Sequence, residues 1–331
     1  MSTVDRTVAV IGAGSIGVGW AIVFARAGMS VALHDVDPQR RALAQREVHD
    51  TVAELHRQGL LDDPDGLLDR VRTAADIAEA LVGAVHVQEC APEDLDLKRR
   101  LFAQLDETVP SDAVLASSSS ALAASQFASD LVGRSRCLVA HPANPPYLLP
   151  VVEIVPAPFT SLGAVGATRD LLTDARMSVV VLRREIEGFV YNRLQGALLR
   201  EAYCLVRDGV VEPEDVDTIV YEGLGRRWSV IGPFETAHLN TRGGIEAHAR
   251  RLGPAYARMG AERGQDDPWN PELVERVARS VHRRFPLDSW GESVAWRDRA
   301  LMALERARHE RPELFRPPAR DACNAKGSPH V

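Results

Sequence analysis

The sequence predicts a doubly wound α/β domain followed by an all-helical domain. Three observations carry this prediction. Short apolar runs alternate with helical patterns up to about residue 185, only helical patterns follow, and the first apolar run ends in closely spaced glycines. Strands that alternate with helices need crossover connections, which give a mainly parallel sheet covered on both faces. At 331 residues, with 45% hydrophobic and 26% charged side chains, the chain is long enough to bury more than one core.

From Thr7, TVAVIGAG reads as the first strand, and SIGVGWAIVFARAG has helical apolar spacing closed by Gly28. SVALHD is the second strand and ends at Asp35. Further strands are AVHVQEC (84–90), AVLAS (113–117), CLVAHPA (137–143), VVEIVPA (151–157) and SVVVLR (178–183). Beyond them NRLQGALLREAYCLVRDG, PEDVDTIVYEG and PELVERVARSVHRRF read as helices punctuated by Gly or Pro. The organisation expected is a sheet domain over 1–186, a helical domain over 187–316, and a loose polar tail over 317–331.

The formal net charge of −7 gives no general attraction to phosphate backbones or anionic membranes, so neither nucleic acid nor a membrane is expected as a partner. Cys90, Cys137, Cys204 and Cys323 show neither a CxxC nor a Cys/His metal spacing. No metal site or disulfide framework is expected, and a reducing cytoplasm fits best. No stretch carries the pattern of a secretion signal or a bilayer span.

Gly12, Gly14 and Gly17 spell GxGxxG at a strand-to-helix turn, and Asp35 ends the next strand 23 residues after Gly12. The spacing has a mechanism. Gly12 permits the tight turn, Gly14 lets the backbone approach a pyrophosphate at the helix N-terminus, and Gly17 lets helix and strand pack closely. Ser15 and Ile16 complete the phosphate-facing turn. Asp35 would accept hydrogen bonds from the adenosine ribose and repel a 2′-phosphate, which favours NAD; only the nearby Arg40 and Arg41 argue for NADP. The expected domain is therefore Rossmann-like.

Oxidation of an alcohol by a nicotinamide needs a base for the hydroxyl proton. His141 ends a strand in HPANPP, on the side of the sheet where doubly wound folds bind ligands, and Glu153 interrupts the apolar strand VVEIVP. If the two strands are neighbours, Glu153 would fix the imidazole tautomer and stabilise the imidazolium. Taken singly, each residue also fits a structural role.

With VAVIGAGSIGVGWA, ASSSSAL at 116–122, HPANPP, VVEIVP and GFVYNRL at 188–194, the chain resembles the L-3-hydroxyacyl-CoA dehydrogenase superfamily. GLGRRWSVIGPFETAHLN at 223–240 narrows the resemblance to the lambda-crystallin or L-gulonate 3-dehydrogenase branch. The resemblance implies that His141 and Glu153 are the catalytic pair, and that Ser120 and Asn192 hold the substrate oxygen. It also implies that Glu93, Lys98, Ser118 and Asn144 line the cofactor site, and that the protein is a homodimer. One departure stands out: the family's Asn-Thr in the serine loop is here Ser118-Ser119.

The substrate class is read from charge. In the acyl-CoA members, the helical excursion after the second strand carries lysines. Here residues 50–69 hold Asp50, Glu54, Asp62, Asp63, Asp65 and Asp69 against Arg57 alone, a surface expected to repel CoA phosphates. Arg226 and Arg227 in the helical domain offer a bidentate grip for a free carboxylate. A small L-3-hydroxy acid such as L-gulonate is therefore expected as substrate. The alternatives are a short-chain L-3-hydroxyacyl-CoA, carnitine or another 3-hydroxy acid, or a catalytically idle crystallin-like protein that only binds NAD.

Overall fold

The computed structural model describes residues 6–229, 231–242, 244–263, 272 and 286–311. It divides into two compact units, one ending at Gly196 and the other starting at Ala197. That division lies ten residues beyond the one expected from the sequence, within a helix.

The first unit is built on one eight-stranded sheet: β1 Thr7–Ile11, β2 Ser30–His34, β3 Val71–Ala74, β4 Ala84–Glu89, β5 Val114–Ser117, β6 Cys137–Pro142, β7 Val151–Pro156 and β8 Ser178–Val181. Their order across the sheet is β3-β2-β1-β4-β5-β6-β7-β8. The strands pair in parallel except β6 with β7, which are antiparallel. β1, β2, β5 and β6 are apolar along nearly their whole length because helices cover both faces of the sheet. β3, VRTA, has only one fully buried residue and lacks such a run, so its sequence carries no strand signal.

The helices of this unit are α1 Ser15–Arg26, α2 Pro38–Arg57, α3 Pro64–Leu68, α4 Ile77–Leu81, α5 Leu95–Thr108, α6 Ala124–Phe127, α7 Leu162–Asp174 and the start of α8 Tyr191–Arg207. α1 is buried on most of its surface and stacks Trp20 on Phe24, ring centroids 5.1 Å apart. In the cluster formed by α5, α6 and the sheet, Phe102 meets Phe127 at 4.6 Å. Full burial of each such ring contributes about 1.5–3 kcal/mol. Aspartates cap α2, α3, α4 and α5, each accepting from a backbone amide of the first turn.

The second unit contains α9 Pro213–Ile219, a π turn Val220–Leu224, α10 Gly225–Trp228, α11 Pro233–Leu239, α12 Gly244–Arg263 and a helix Trp290–Glu310. The expected helix over 271–285 and the tail over 317–331 lie outside the described residues, apart from Glu272.

Candidate active site

β1 and β4 are neighbours, but the chain leaves them toward opposite edges of the sheet, so a crevice opens at their carboxyl ends. There a cleft of about 900 Å³ is lined by Gly12, Gly14, Asp35, Arg40, Cys90 and Ala91, among others. The three glycines serve it differently. Gly12 has φ +102°, and a Cβ there would lie 2.6 Å from the Cys90 carbonyl group. A Cβ on Gly17 would lie 1.9 Å from the Gly12 oxygen. A Cβ on Gly14 would meet nothing within 4 Å, because that position faces the opening.

Exposed Ser15 begins α1, whose first turn carries no acid and no side-chain cap. The amides of Ser15, Ile16 and Gly17 are thus left for an anion. Asp35 accepts from Ala13 N at 2.9 Å and from Asp37 N at 3.0 Å, which leaves lone pairs for two ribose hydroxyls. An open approach at Gly14, amides aimed outward and an acid directly after β2 together fit a dinucleotide.

The catalytic candidates meet on the antiparallel pair. His141 stands opposite Glu153 in the β6–β7 register, and its Nδ1 donates to Glu153 Oε2 at 2.9 Å. The histidine is only 5% exposed and the glutamate 4%. The other carboxylate oxygen, Oε1, accepts from the amides of Val190 at 2.8 Å and Tyr191 at 3.1 Å, where α8 begins. Burial pushes the Glu153 carboxyl up, but the bonds from His141 and these two amides outweigh it and hold the group below its usual range. The tautomer with the proton on Nδ1 leaves Nε2 as the lone-pair nitrogen. Phe189, fully buried at φ 50°, packs its ring 5.4 Å from the imidazole.

Glu93 organises the serine loop. Its Oε1 accepts from Ser119 Oγ, Ala121 N at 3.0 Å and Leu122 N at 3.1 Å, on both sides of exposed Ser120. Burial raises the Glu93 carboxyl, yet these bonds together leave it below its usual range. Asn192 Nδ2 donates to the Ser120 carbonyl at 2.8 Å, so Asn192 is tied to the loop it was expected to work beside. Asn144 is exposed in the turn after β6.

Two residues expected at the cofactor are turned inward. Lys98 is 1% exposed, with Nζ 2.9 Å from each oxygen of Glu89. A buried ammonium needs such a partner, and Glu89, itself fully buried, accepts also from Ser117 Oγ and from Ala91 N at 2.7 Å. Ser118 Oγ accepts from Trp20 Nε1 at 3.1 Å and from Gln88 Nε2 at 2.7 Å.

Sequence reasoning missed Glu89, although it ends an apolar strand much as Glu153 interrupts one. It also missed Gln88, Trp20 and Phe189, for which no local pattern exists. In the helical unit Arg226 is exposed and pairs with Glu222 at 3.1 Å, one turn back, and Arg227 is exposed beside it. Among the described residues no cluster could hold a metal ion, and no helix is long and apolar enough to cross a membrane.

Comparison with known proteins places the chain in a family. Residues 7–186 match the model for the NAD binding domain of 3-hydroxyacyl-CoA dehydrogenase, and residues 188–281 match that for its C-terminal domain. A lambda-crystallin homolog from Bos taurus is 40% identical over 94% of this chain and 98% of its own length. An L-carnitine dehydrogenase from Streptomyces coelicolor is 36% identical over 91% of this chain and 94% of its own. The crystal structure of 5-formyl-3-hydroxy-2-methylpyridine 4-carboxylic acid 5-dehydrogenase, an NAD+-dependent dismutase, superposes with a TM-score of 0.79 at 29% identity, over 91% of this chain and 98% of that one. This chain belongs to the 3-hydroxyacyl-CoA dehydrogenase family of NAD-dependent oxidoreductases.

Proposed function

We propose that the protein oxidises the 3-hydroxyl of a small L-3-hydroxy acid bearing a free carboxylate, L-gulonate being the leading example. The observation that carries this reading is the buried His141–Glu153 pair, in which both carboxylate oxygens are committed and the imidazole tautomer is fixed. His141 Nε2 takes the hydroxyl proton, and Glu153 stabilises the imidazolium that results. Bound NAD supplies the hydride acceptor for the carbinol hydrogen. Ser120 and Asn192 donate to the substrate oxygen as charge develops on it.

Two observations favour a free acid over an acyl-CoA. Residues 50–69 are strongly acidic, and only part of that charge is used internally, by Asp63 capping α3 and by Glu54 pairing with Arg57. The relatives named above also include enzymes named for substrates, L-carnitine and a pyridine carboxylic acid, that carry carboxylates. Arg226 and Arg227 are the candidate carboxylate ligands. The complete set of Ser120, His141, Glu153 and Asn192 speaks against an idle crystallin-like role. A cytoplasmic homodimer completes the proposal.

The test is the rate of NADH formation on L-gulonate, L-3-hydroxybutyrate, L-carnitine and L-3-hydroxybutyryl-CoA. A free acid is expected to give the highest kcat/KM; a thioester leading by orders of magnitude would replace this reading with acyl-CoA oxidation.

A further inference from the structure

Two arginines follow Asp35 on α2, and charge alone would let them receive a phosphate beside the ribose site. Arg40 is committed elsewhere by its charge, whereas Arg41 is held only at the backbone. Arg41 donates from Nη1 to the Asp35 carbonyl at 2.6 Å. Arg40 donates from Nε to Ala13 O at 2.7 Å, and its two terminal nitrogens grip both oxygens of Glu47, Nη1 to Oε1 at 3.0 Å and Nη2 to Oε2. Glu47 lies two turns further along α2, a spacing that brings it to the same helix face.

Arg40 lines the cleft together with Asp35 and Asp76, whereas Glu47 is outside its lining. The remaining cationic residue of the lining, Arg100, is on α5, which follows β4 rather than β2. A planar guanidinium engaged at three of its nitrogens has its fork directed by those partners.

We propose that Glu47 is a positioning residue for cofactor selectivity. It draws the Arg40 fork along α2 and away from the corner beside Asp35, so that fork is not offered to an adenosine 2′-phosphate. Asp35 supplies the repulsion; Glu47 withholds the cation that would otherwise offset it. The inference rests on NAD occupying the cleft, and it assigns a role to a residue that touches neither cofactor nor substrate.

The experiment is calorimetric titration of the full-length protein with NADH and NADPH at low ionic strength, for wild type, Glu47→Gln, Glu47→Asp and the double variant Arg40→Ala/Glu47→Gln. Freeing a partly exposed pair should lower the Kd ratio of NADPH to NADH roughly five-fold in Glu47→Gln. Glu47→Asp, whose shorter side chain breaks the fork, should move the ratio in the same direction and covers the case where Glu47→Gln does not fold. Adding Arg40→Ala should abolish the gain. An unchanged ratio in the Glu47 variants, or a gain that survives loss of Arg40, overturns the proposal. Wild-type protein that binds neither dinucleotide would instead overturn the assignment of the cleft to NAD.

Discussion

Gly14 and Gly17 sit three residues apart in one turn, yet different things constrain them. A methyl group at Gly17 would strike the Gly12 carbonyl, whereas one at Gly14 would stand in the open cleft. Gly17→Ala should therefore destabilise the protein by about 2–4 kcal/mol in urea unfolding. Gly14→Ala should leave the unfolding curve almost unmoved while weakening NADH binding roughly ten-fold in a calorimetric titration, a loss of about 1.4 kcal/mol. The reverse pattern would mean that Gly14 does not face the cofactor. Glu153 makes a comparable residue-scale case. Glu153→Gln keeps the shape but removes the charge that faces both the imidazole and the start of α8, so kcat should fall about 10²–10³-fold with a small change in KM. An unaltered kcat would remove Glu153 from the catalytic account.

Among the elements, the β6–β7 pairing does most to build the site, because it sets His141 opposite Glu153 and leaves Glu153 Oε1 to receive the first amides of α8. The glycine turn, the strands and the acid at the end of β2 were legible, since each has a periodicity or spacing of its own. The direction of β7 was not, because an apolar run carries no sign of whether its neighbour is parallel. The inward turn of Lys98 was equally hidden: its partner Glu89 is nine residues away and reaches it only through the fold of β4 onto α5. β4 also carries a testable acid sensitivity. Burial lowers the pKa of His86 from 6.5 to about 4, even though the bond to Gln88 works to raise it. Above pH 6.5 neither state of this group is charged. As the pH falls toward 4 the unfolded chain takes up a proton that the folded one refuses, and up to about 3 kcal/mol of stability is lost. Urea unfolding at pH 7 and pH 4.5 should show a loss in wild type that His86→Gln largely removes; identical losses in both proteins would contradict this.

At the scale of the whole molecule, charge and exposed apolar surface make the remaining demands. The acidic stretch at 50–69 is expected to disfavour CoA, and Leu194, Leu198 and Leu199 of α8 are 64%, 37% and 39% exposed, apolar surface that the proposed homodimer would cover. Sedimentation equilibrium should give about twice the chain mass of 36.2 kDa; a monomer at working concentrations would refute the dimer. The proposed function depends above all on proton transfer by the buried His141–Glu153 pair in an NAD-dependent oxidation. The most direct test is to measure kcat and NADH affinity of His141→Ala side by side with wild type. In His141→Ala kcat should fall about 10²–10⁴-fold with the NADH Kd within two-fold of wild type. Turnover at the wild-type rate with NADH still bound would contradict it.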